Sequence, residues 1–184
     1  MTHVIYEMGV SADGYIYGPD GTFDWSEPDD ELHQFHNDRV RELGAHLLGR
    51  RLYETMLYWE TADDPSPISR DFGQVWKALP KLVFSRTLDA VQGTNTTLAR
   101  RDLATELAAL KAQVEGDIGI GGAGLAADAA RLGLIDEYRV FVHPVAVGGG
   151  IPFFPRDHRL DLELVDTRTF GSRIVHMRYR VAGR

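Results

Sequence analysis

Three short stretches place glycine, arginine or hydroxyl side chains just after an apolar segment, a combination that could bind phosphate. The first contains Gly49, Arg50 and Arg51. Glycine lets the backbone approach a ligand closely, a helix that begins there offers free N–H groups, and each guanidinium can donate two parallel hydrogen bonds to a phosphate. Taken alone, this stretch is better interpreted as an ordinary helix start with two solvated arginines.

The second stretch, Ser85, Arg86 and Thr87, follows a short apolar segment. Its two hydroxyls and its guanidinium could hold the 2′-phosphate of a ribose and flank an adenine ring. Considered by itself, it is more simply interpreted as a polar turn.

The strongest single signal is the third stretch, in which four of the six residues from 119 to 124 are glycine. A tight turn needs only one or two glycines, whereas a glycine-rich turn that leads into a helix is suited to a pyrophosphate. The stretch also fits the dinucleotide pattern G-x-G-x-x-G, but that fold requires an acid about 20 residues later, at the end of the next strand. Asp136 and Glu137 come too early, at the start of that strand.

Composition restricts the class of protein. The chain has 184 residues, enough for one domain spanning residues 1–184, and its net charge is −7. Negative charge disfavours nucleic-acid binding, and the absence of cysteine excludes thiol catalysis, disulfides and cysteine-based zinc sites. No apolar run approaches the roughly 20 residues of a membrane span, and residues 1–10 do not resemble a signal peptide, so we expect no membrane contact and a cytoplasmic location.

Histidine and aromatic residues suggest little chemistry by position alone. His33 and His36 stand three residues apart on a predicted helix, but without a third ligand a solvated face is favoured over a metal site. Trp25, Tyr53 and Tyr58 could stack on a planar heterocyclic substrate, although aromatic side chains more often belong to the core.

Apolar periodicity predicts strands that alternate with helices. We expect strands at residues 3–11, 45–48, 81–84, 117–120, 138–147, 160–170 and 174–181, helices after Pro28, Gly49, Ser69, Asp102 and Gly124, and a long loop at 12–28. This order predicts an α/β fold with a mostly parallel central sheet flanked by helices and with antiparallel C-terminal strands.

Five segments together resemble a known family. They are SADGYI at 11–16, LGRRLYE at 48–54, FSR at 84–86, GGAGL at 121–125 and PVAVGGGIPFF at 144–154. In this order they resemble the dihydrofolate-reductase-like superfamily, and within it the RibD C-terminal-domain group, which is similar to the reductase of riboflavin biosynthesis. The resemblance extends over nearly the whole chain.

The resemblance implies NADPH as the hydride donor. Gly9 and Ile16 would then flank the nicotinamide ring, and the loop from Ala12 to Trp25 would act as a mobile lid. The phosphate side would be bound by Gly49, Arg50 and Arg51, the adenosine 2′-phosphate by Ser85 and Arg86 beside Thr87, and the pyrophosphate by Gly121, Gly122, Ala123, Gly124 and Leu125.

The resemblance also implies a carboxylate near the substrate, because reduction of a C=N bond needs a proton source. Asp13 matches an aspartate that lies beside the substrate in riboflavin-type reductases, and Asp30 and Glu31 come near where dihydrofolate reductases keep a pterin-binding carboxylate. Their structural alternatives are a turn for Asp13 and an acidic first helical turn for Asp30 and Glu31. Tyr15 departs from the pattern, since riboflavin-pathway reductases usually carry lysine there.

We therefore expect an NADPH-dependent reductase of a pyrimidine or pteridine-like substrate, similar to 5-amino-6-(5-phosphoribosylamino)uracil reductase. The alternatives are dihydrofolate reduction, a non-catalytic NADPH-binding module, and a flavin or drug reductase that uses the same pocket loosely. The apolar C-terminal strands and the segment Pro152, Phe153 and Phe154 suggest a homodimer.

Overall fold

An eight-stranded sheet forms the centre of the computed structural model, which describes residues 2–183. The strands are β1 (Val4–Ser11), β2 (Tyr15–Tyr17), β3 (Leu43–Gly49), β4 (Lys81–Phe84), β5 (Thr96–Leu98), β6 (Asp117–Gly121), β7 (Glu137–His143), β8 (Ile151–Pro152), β9 (Leu162–Thr169) and β10 (Val175–Val181). The large sheet has the order β5-β4-β3-β6-β1-β7-β10-β9, and β2 pairs with β8 in a separate sheet.

Strand direction follows the prediction. The five neighbouring pairs from β5 to β7 are parallel, and β10 pairs antiparallel with both β7 and β9. The predicted fold class, a mostly parallel sheet with antiparallel C-terminal strands, is confirmed.

Helices connect most of the parallel strands and cover both faces of the sheet. They are α1 (Asp30–Arg41), α2 (Arg50–Met56), α3 (Tyr58–Thr61), α4 (Pro67–Ala78), α5 (Leu103–Lys111) and α6 (Ala123–Arg131). Side chains that accept a hydrogen bond from a free N–H group fix three of the helix starts: Asp29 caps α1, Ser66 caps α4 and Asp102 caps α5. No helix among residues 2–183 is long and apolar enough to cross a membrane.

Alternation along the central strands divides the core between the two faces. Ile118 and Ile120 of β6 pack with Leu107 of α5 and Ala126 of α6 on one face. Gly119, which lies between the two isoleucines, faces His46 on the other side. Burial of a strand on both faces is expected in a parallel sheet that helices cover on both sides. A cavity can therefore form between the sheet and the helices on one face while the other face stays packed.

Parallel pairing brings the predicted phosphate-binding stretches to one edge of the sheet. Gly49 at the end of β3 is paired with Phe84 at the end of β4, and Leu48 is paired with Gly121 at the end of β6. The turns that follow these three strands are therefore neighbours, as expected for a ligand site beyond the carboxyl ends of parallel strands.

Several boundaries differ from the sequence predictions. The strand predicted to reach residue 147 ends at His143, because Pro144 has no N–H group for the ladder. The helix predicted from residue 125 begins at Ala123, the predicted loop at 12–28 contains β2 and a short 3-10 helix, and β5 was not predicted.

Candidate functional site

The three glycine and arginine stretches line one groove at the carboxyl ends of β3, β4 and β6. We call it the arginine groove; its volume is about 770 Å³. It is lined by Gly49, Arg50, Arg51, Phe84, Ser85, Arg86, Ala99, Arg100, Arg101, Leu103, Gly122, Ala123, Gly124, Leu125 and Asp128. Nine residues that were predicted to bind cofactor from three separate parts of the sequence are thus brought together.

Backbone forms the floor of this groove. Gly122 has a φ of +95°, and a Cβ built on it would lie 3.2 Å from the Cα of Gly49. Glycine is required here because its backbone conformation is strained for other residues and because two chain segments touch. Gly122 is also the N-cap of α6 and no side chain caps that helix, so its first N–H groups are available to an anionic ligand.

Unpaired positive charge distinguishes the groove within an acidic protein. The guanidinium groups of Arg51 and Arg86 make no hydrogen bond or ion pair with any residue of the described chain, whereas the backbone carbonyl of Arg51 accepts a hydrogen bond from Thr55. Arg50 donates from Nε to Glu54 Oε1 at 2.7 Å and from Nη1 to Thr87 Oγ1 at 2.6 Å, which fixes its guanidinium at the rim.

Arg100 and Arg101 are groove residues that the sequence did not single out. Arg101 donates from Nη2 to Glu106 Oε2 at 2.8 Å, an interaction that raises the pKa of Arg101 and lowers that of Glu106. The two arginines follow β5, the strand that was missed, which is why their convergence on the groove could not be predicted.

Ser85 and Thr87 order the turn after β4. The Ser85 hydroxyl oxygen accepts hydrogen bonds from the N–H groups of Thr87 at 3.2 Å and Leu88 at 3.1 Å. Thr87 does not line the groove, but its hydroxyl oxygen accepts a hydrogen bond from Arg50. Gly121 does not line the groove either, and a Cβ added to it would overlap the side chain of Leu52. These two predicted residues support the groove from its edge.

A second cavity lies between the sheet and helices α1, α2, α3 and α4. We call it the apolar cavity; its volume is about 300 Å³. Its lining comprises Ile5, Glu7, Met8, Gly9, Pro28, His33, His36, Arg39, Val40, Leu43, His46, Leu52, Met56, Trp59, Phe72, Trp76, Gly119 and Arg139. Neighbouring residues Arg51 and Leu52 line the groove and the cavity respectively, so the two spaces flank the first turn of α2.

Glu7 is the one carboxylate in the apolar cavity. Its Oε2 atom is buried, accepts no hydrogen bond within residues 2–183, and lies 3.6 Å from Arg139 Nη1. Burial raises the pKa of Glu7, while the nearby charges of Arg139 and Arg39 oppose that shift. Glu7 was not predicted, because a single acid in an alternating strand usually belongs to the solvent-facing side.

The histidines of α1 face the cavity and not solvent, so the predicted solvated face is wrong. Burial lowers the pKa of His36 to about 4, with neighbouring His33, His143 and His176 adding to the effect. Burial likewise lowers the pKa of His33. No cluster of three or more possible metal ligands exists in the part of the chain that the structure describes.

Gly9 lines the apolar cavity, whereas Ile16 and Trp25 lie in neither space. A Cβ built on Gly9 would lie 3.2 Å from His143 Nε2 and 3.8 Å from Ser26 Cβ. The Trp25 ring packs edge-on against His143 at 5.4 Å between centroids, and Ile16 is buried in the core. The segment from 12 to 28 therefore lies folded against the ends of β1 and β7.

Asp13 is bound to backbone. Its Oδ1 accepts from Val147 N at 3.1 Å and its Oδ2 from Gly148 N at 2.7 Å. These bonds, with that of Ser11 as the largest contribution, lower the pKa of Asp13. An ionised carboxylate with both oxygens engaged anchors the turn after Pro144, and it lines neither the groove nor the cavity.

The two acids that begin α1 also lie outside both spaces. Glu31 accepts from Arg168 Nη2 at 2.8 Å and from Gly171 N at 2.9 Å, contacts that lower its pKa and tie α1 to the β9–β10 hairpin. Asp30 is exposed in the first turn of the helix.

The aromatic residues that were predicted to stack on the substrate line neither the groove nor the cavity. Tyr53 is buried in the core beside α4, and its hydroxyl is hydrogen-bonded to Gln92. Tyr58 is 57% exposed, whereas the next residue, Trp59, lines the apolar cavity. The short interruption between α2 and α3 at Leu57 sets which aromatic side chain points inward.

The sheet order defines a dihydrofolate-reductase-like fold. Dihydrofolate reductase from Enterococcus faecalis, solved in complex with NADP(H), superposes with a TM-score of 0.62 over 98% of this chain and 96% of that one, at 15% identity. The model of the RibD C-terminal domain matches residues 2–176, and the chain belongs to that family.

The chain is also similar to a curated relative and to two further solved structures. The uncharacterized protein YyaP of Bacillus subtilis (strain 168) is 29% identical over 182 residues, which cover 98% of this chain and 95% of YyaP. A putative riboflavin biosynthesis protein from Shewanella sp. PV-4 superposes with a TM-score of 0.79, covering 98% and 99% of the two chains at 22% identity. The Thermotoga maritima diaminohydroxyphosphoribosylaminopyrimidine deaminase/5-amino-6-(5-phosphoribosylamino)uracil reductase superposes at 0.69 and 14% identity, with 98% of this chain matching 57% of that protein.

Proposed function

We propose that this chain is an NADPH-dependent reductase of a planar nitrogen heterocycle of the pyrimidine or pteridine class. Family membership supports an oxidoreductase, since the matching model describes the reductase half of RibD proteins. The observation that carries the proposal is the arginine groove, in which unpaired Arg51 and Arg86 flank a glycine floor and the uncapped start of α6.

The groove fits a dinucleotide with an additional phosphate. The N–H groups at the start of α6 and the close approach at Gly122 suit a pyrophosphate, because such a site needs backbone donors without intervening side chains. Ser85, Arg86 and Arg100 line the same groove, where they can bind a ribose 2′-phosphate by charge-assisted hydrogen bonds. This arrangement favours NADPH over NADH.

The apolar cavity fits the acceptor. Trp59, Phe72 and Trp76 give it flat apolar walls, and Gly9 leaves open the part of β1 at which the resemblance places the nicotinamide. A reduced nicotinamide bound there supplies a hydride, and the chain supplies the position of the acceptor, the exclusion of water and a proton.

A turnover assay tests this function. Purified protein is incubated with NADPH and, separately, with 5-amino-6-(5-phosphoribosylamino)uracil and with dihydrofolate, and the loss of NADPH absorbance is followed. We expect oxidation with a heterocyclic acceptor and much slower oxidation with NADH. Tight NADPH binding without oxidation in the presence of any pyrimidine or pteridine acceptor would instead support the non-catalytic module.

We also propose that the protein forms a homodimer through β9, the edge strand of the large sheet. Leu164 is 57% exposed and Val165 is 38% exposed on this strand, and an unpaired edge can pair with a second copy. Phe153 cannot contribute, because it is buried and stacks on Tyr6 at 4.3 Å. Sedimentation of the protein with and without Val165→Lys tests this proposal, and a monomeric parent protein would contradict it.

A further inference from the structure

Glu7 occupies a position from which it can reach a ligand in the apolar cavity. In a strand, residues i and i+2 point to the same face about 6–7 Å apart. Ile5, Glu7 and Gly9 therefore form one row of β1, and all three line the cavity. A planar ring held in the cavity beside this row would present one edge to the Glu7 carboxyl group.

The groups around Glu7 leave its Oε2 atom without a hydrogen bond. From α1, His36 Nδ1 is 3.9 Å from Oε1, and Arg39 is bonded to Glu42 at 2.7 Å. From β7, Arg139 donates from Nε to Glu137 Oε1 at 2.6 Å, and its Nη1 forms an ion pair with Glu7 Oε2 at 3.6 Å, a distance too long for a hydrogen bond.

Other titratable groups near the cavity do not neutralise Glu7. Burial lowers the pKa values of His36 and His176 to about 4, so both rings are neutral at neutral pH. His46 from β3 has a pKa of about 4 for the same reason. Arg178 of β10 lies 3.8 Å from Glu137 and pairs with that carboxylate, not with Glu7.

Burial of the Glu7 carboxyl group favours its neutral form, because the loss of water around a carboxylate destabilises the charged form. The pKa of Glu7 is raised by burial against the opposing charges of Arg139 and Arg39. A neutral carboxyl group has an O–H donor that an ionised one lacks.

We propose that Glu7 keeps a proton on its buried oxygen and donates it in a hydrogen bond to an acceptor nitrogen of the heterocycle in the apolar cavity. Glu7 thereby selects rings with an unprotonated nitrogen at that edge. It takes the proton-donating role that the sequence analysis assigned to Asp13, Asp30 or Glu31, none of which lines the cavity.

The proton-transfer step described next rests on the proposed reduction. In that reduction, the proton of Glu7 completes the reaction. As the carbon of a C=N bond receives the hydride of the reduced dinucleotide, the π electrons move to nitrogen, a new N–H bond forms, and the O–H bond of Glu7 breaks. The carboxylate left behind faces Arg139, and it regains a proton from solvent after the product leaves.

Binding of quinazoline, a planar ring pair with two acceptor nitrogens and no N–H group, tests the proposal without cofactor. Calorimetric titrations are made from about pH 5 to about pH 9, a range that spans a raised carboxyl pKa. We expect affinity for the parent protein to fall about tenfold or more as Glu7 ionises.

Two variants distinguish the effect of Glu7 protonation on quinazoline affinity from the effect of side-chain shape. Glu7→Gln keeps a donor that does not titrate, so its affinity should stay near the low-pH value of the parent at every pH. Glu7→Leu removes the donor, so its affinity should be low at every pH. Glu163→Gln, an exposed position on β9, should reproduce the parent profile.

Three results would overturn the proposal: affinity of the parent that is independent of pH, a parent-like pH profile in Glu7→Gln, or no binding of quinazoline at any pH. A separate titration with NADPH distinguishes these failures from failure of the proposed function, because Glu7 lies outside the arginine groove.

Discussion

Gly122 and Gly49 touch through their backbones, so that the ends of β6 and β3 form one continuous surface beneath the arginine groove. A Cβ on Gly122 would lie 3.2 Å from the Cα of Gly49 and 3.3 Å from its nitrogen. Two glycines that are 73 residues apart in the sequence thus allow a ligand to rest on main-chain atoms, and this contact is the structural basis of the proposed cofactor site.

The first prediction concerns this contact. Gly122→Ala adds a Cβ at a φ of +95° against the Gly49 backbone, so we expect a loss of about 1–3 kcal/mol in the free energy of unfolding and weaker NADPH binding. Urea unfolding and fluorescence titration measure the two effects.

Gly124→Ala is the matched control for stability. Gly124 lies within α6 and an added Cβ meets no atom within 4 Å. Alanine there should raise the free energy of unfolding by about 0.5–1 kcal/mol, because it favours the helix. Equal stability of the two variants would show that the backbone contact at Gly122 has no energetic role.

The second prediction concerns Asp13. Asp13→Asn replaces a carboxylate that accepts from two N–H groups by an amide with a single acceptor oxygen. We expect faster hydrogen exchange at the amides of Val147 and Gly148, because at least one loses its acceptor. The amide of Ala12, which is bonded to Val145 at 2.7 Å, provides an internal reference. Unchanged exchange at all three amides would contradict an anchoring role for Asp13.

The third prediction concerns acid stability. Burial lowers the pKa of His46 from 6.5 to about 4, so the unfolded chain binds a proton in this interval that the folded chain does not. The contribution of His46 to the free energy of unfolding is therefore complete above pH 6.5 and is lost as pH falls toward 4, to a total of about 3 kcal/mol at most.

Unfolding of His46→Gln by urea at several pH values measures this dependence. The variant should lose stability less steeply than the parent between pH 6.5 and 4, although His36 and His176 keep part of the slope. An identical slope in His46→Gln and the parent would mean that folding does not lower the pKa of His46.

Much of the fold could be predicted because local patterns determine it. Strands such as β4 and β6 are short apolar runs bounded by proline, serine or glycine, and Asp102 marks the start of α5 by its capping side chain. The glycine-rich turn before α6 was visible because close backbone contact admits only glycine at Gly122.

The groove was also largely predictable, since each stretch follows a strand and parallel strands end at one edge. Arg100 and Arg101 were not, because β5 is a three-residue strand with two threonines and no apolar repeat. Whether Tyr58 or Trp59 points inward depends on a break in the helix at Leu57 that carries no sequence signal.

The apolar cavity was not predicted because its walls come from distant elements. The alternation of Val4, Tyr6, Met8 and Val10 indicated one buried face of β1, but α1 covers the opposite face as well. Glu7 therefore faces a cavity and not solvent. Burial on both faces depends on which helices pack there, information that the sequence of β1 alone does not contain.

The fourth prediction tests the central claim, that the arginine groove binds NADPH through its 2′-phosphate. Fluorescence titrations with NADPH and NADH are made on the parent, on Arg86→Ala, and on Arg159→Ala, an exposed arginine that pairs with Asp161 outside the groove. We expect the parent and Arg159→Ala to prefer NADPH, and Arg86→Ala to lose about 10- to 100-fold in NADPH affinity with NADH affinity unchanged. Equal affinity of the parent for both dinucleotides, or no binding of either, would contradict the account.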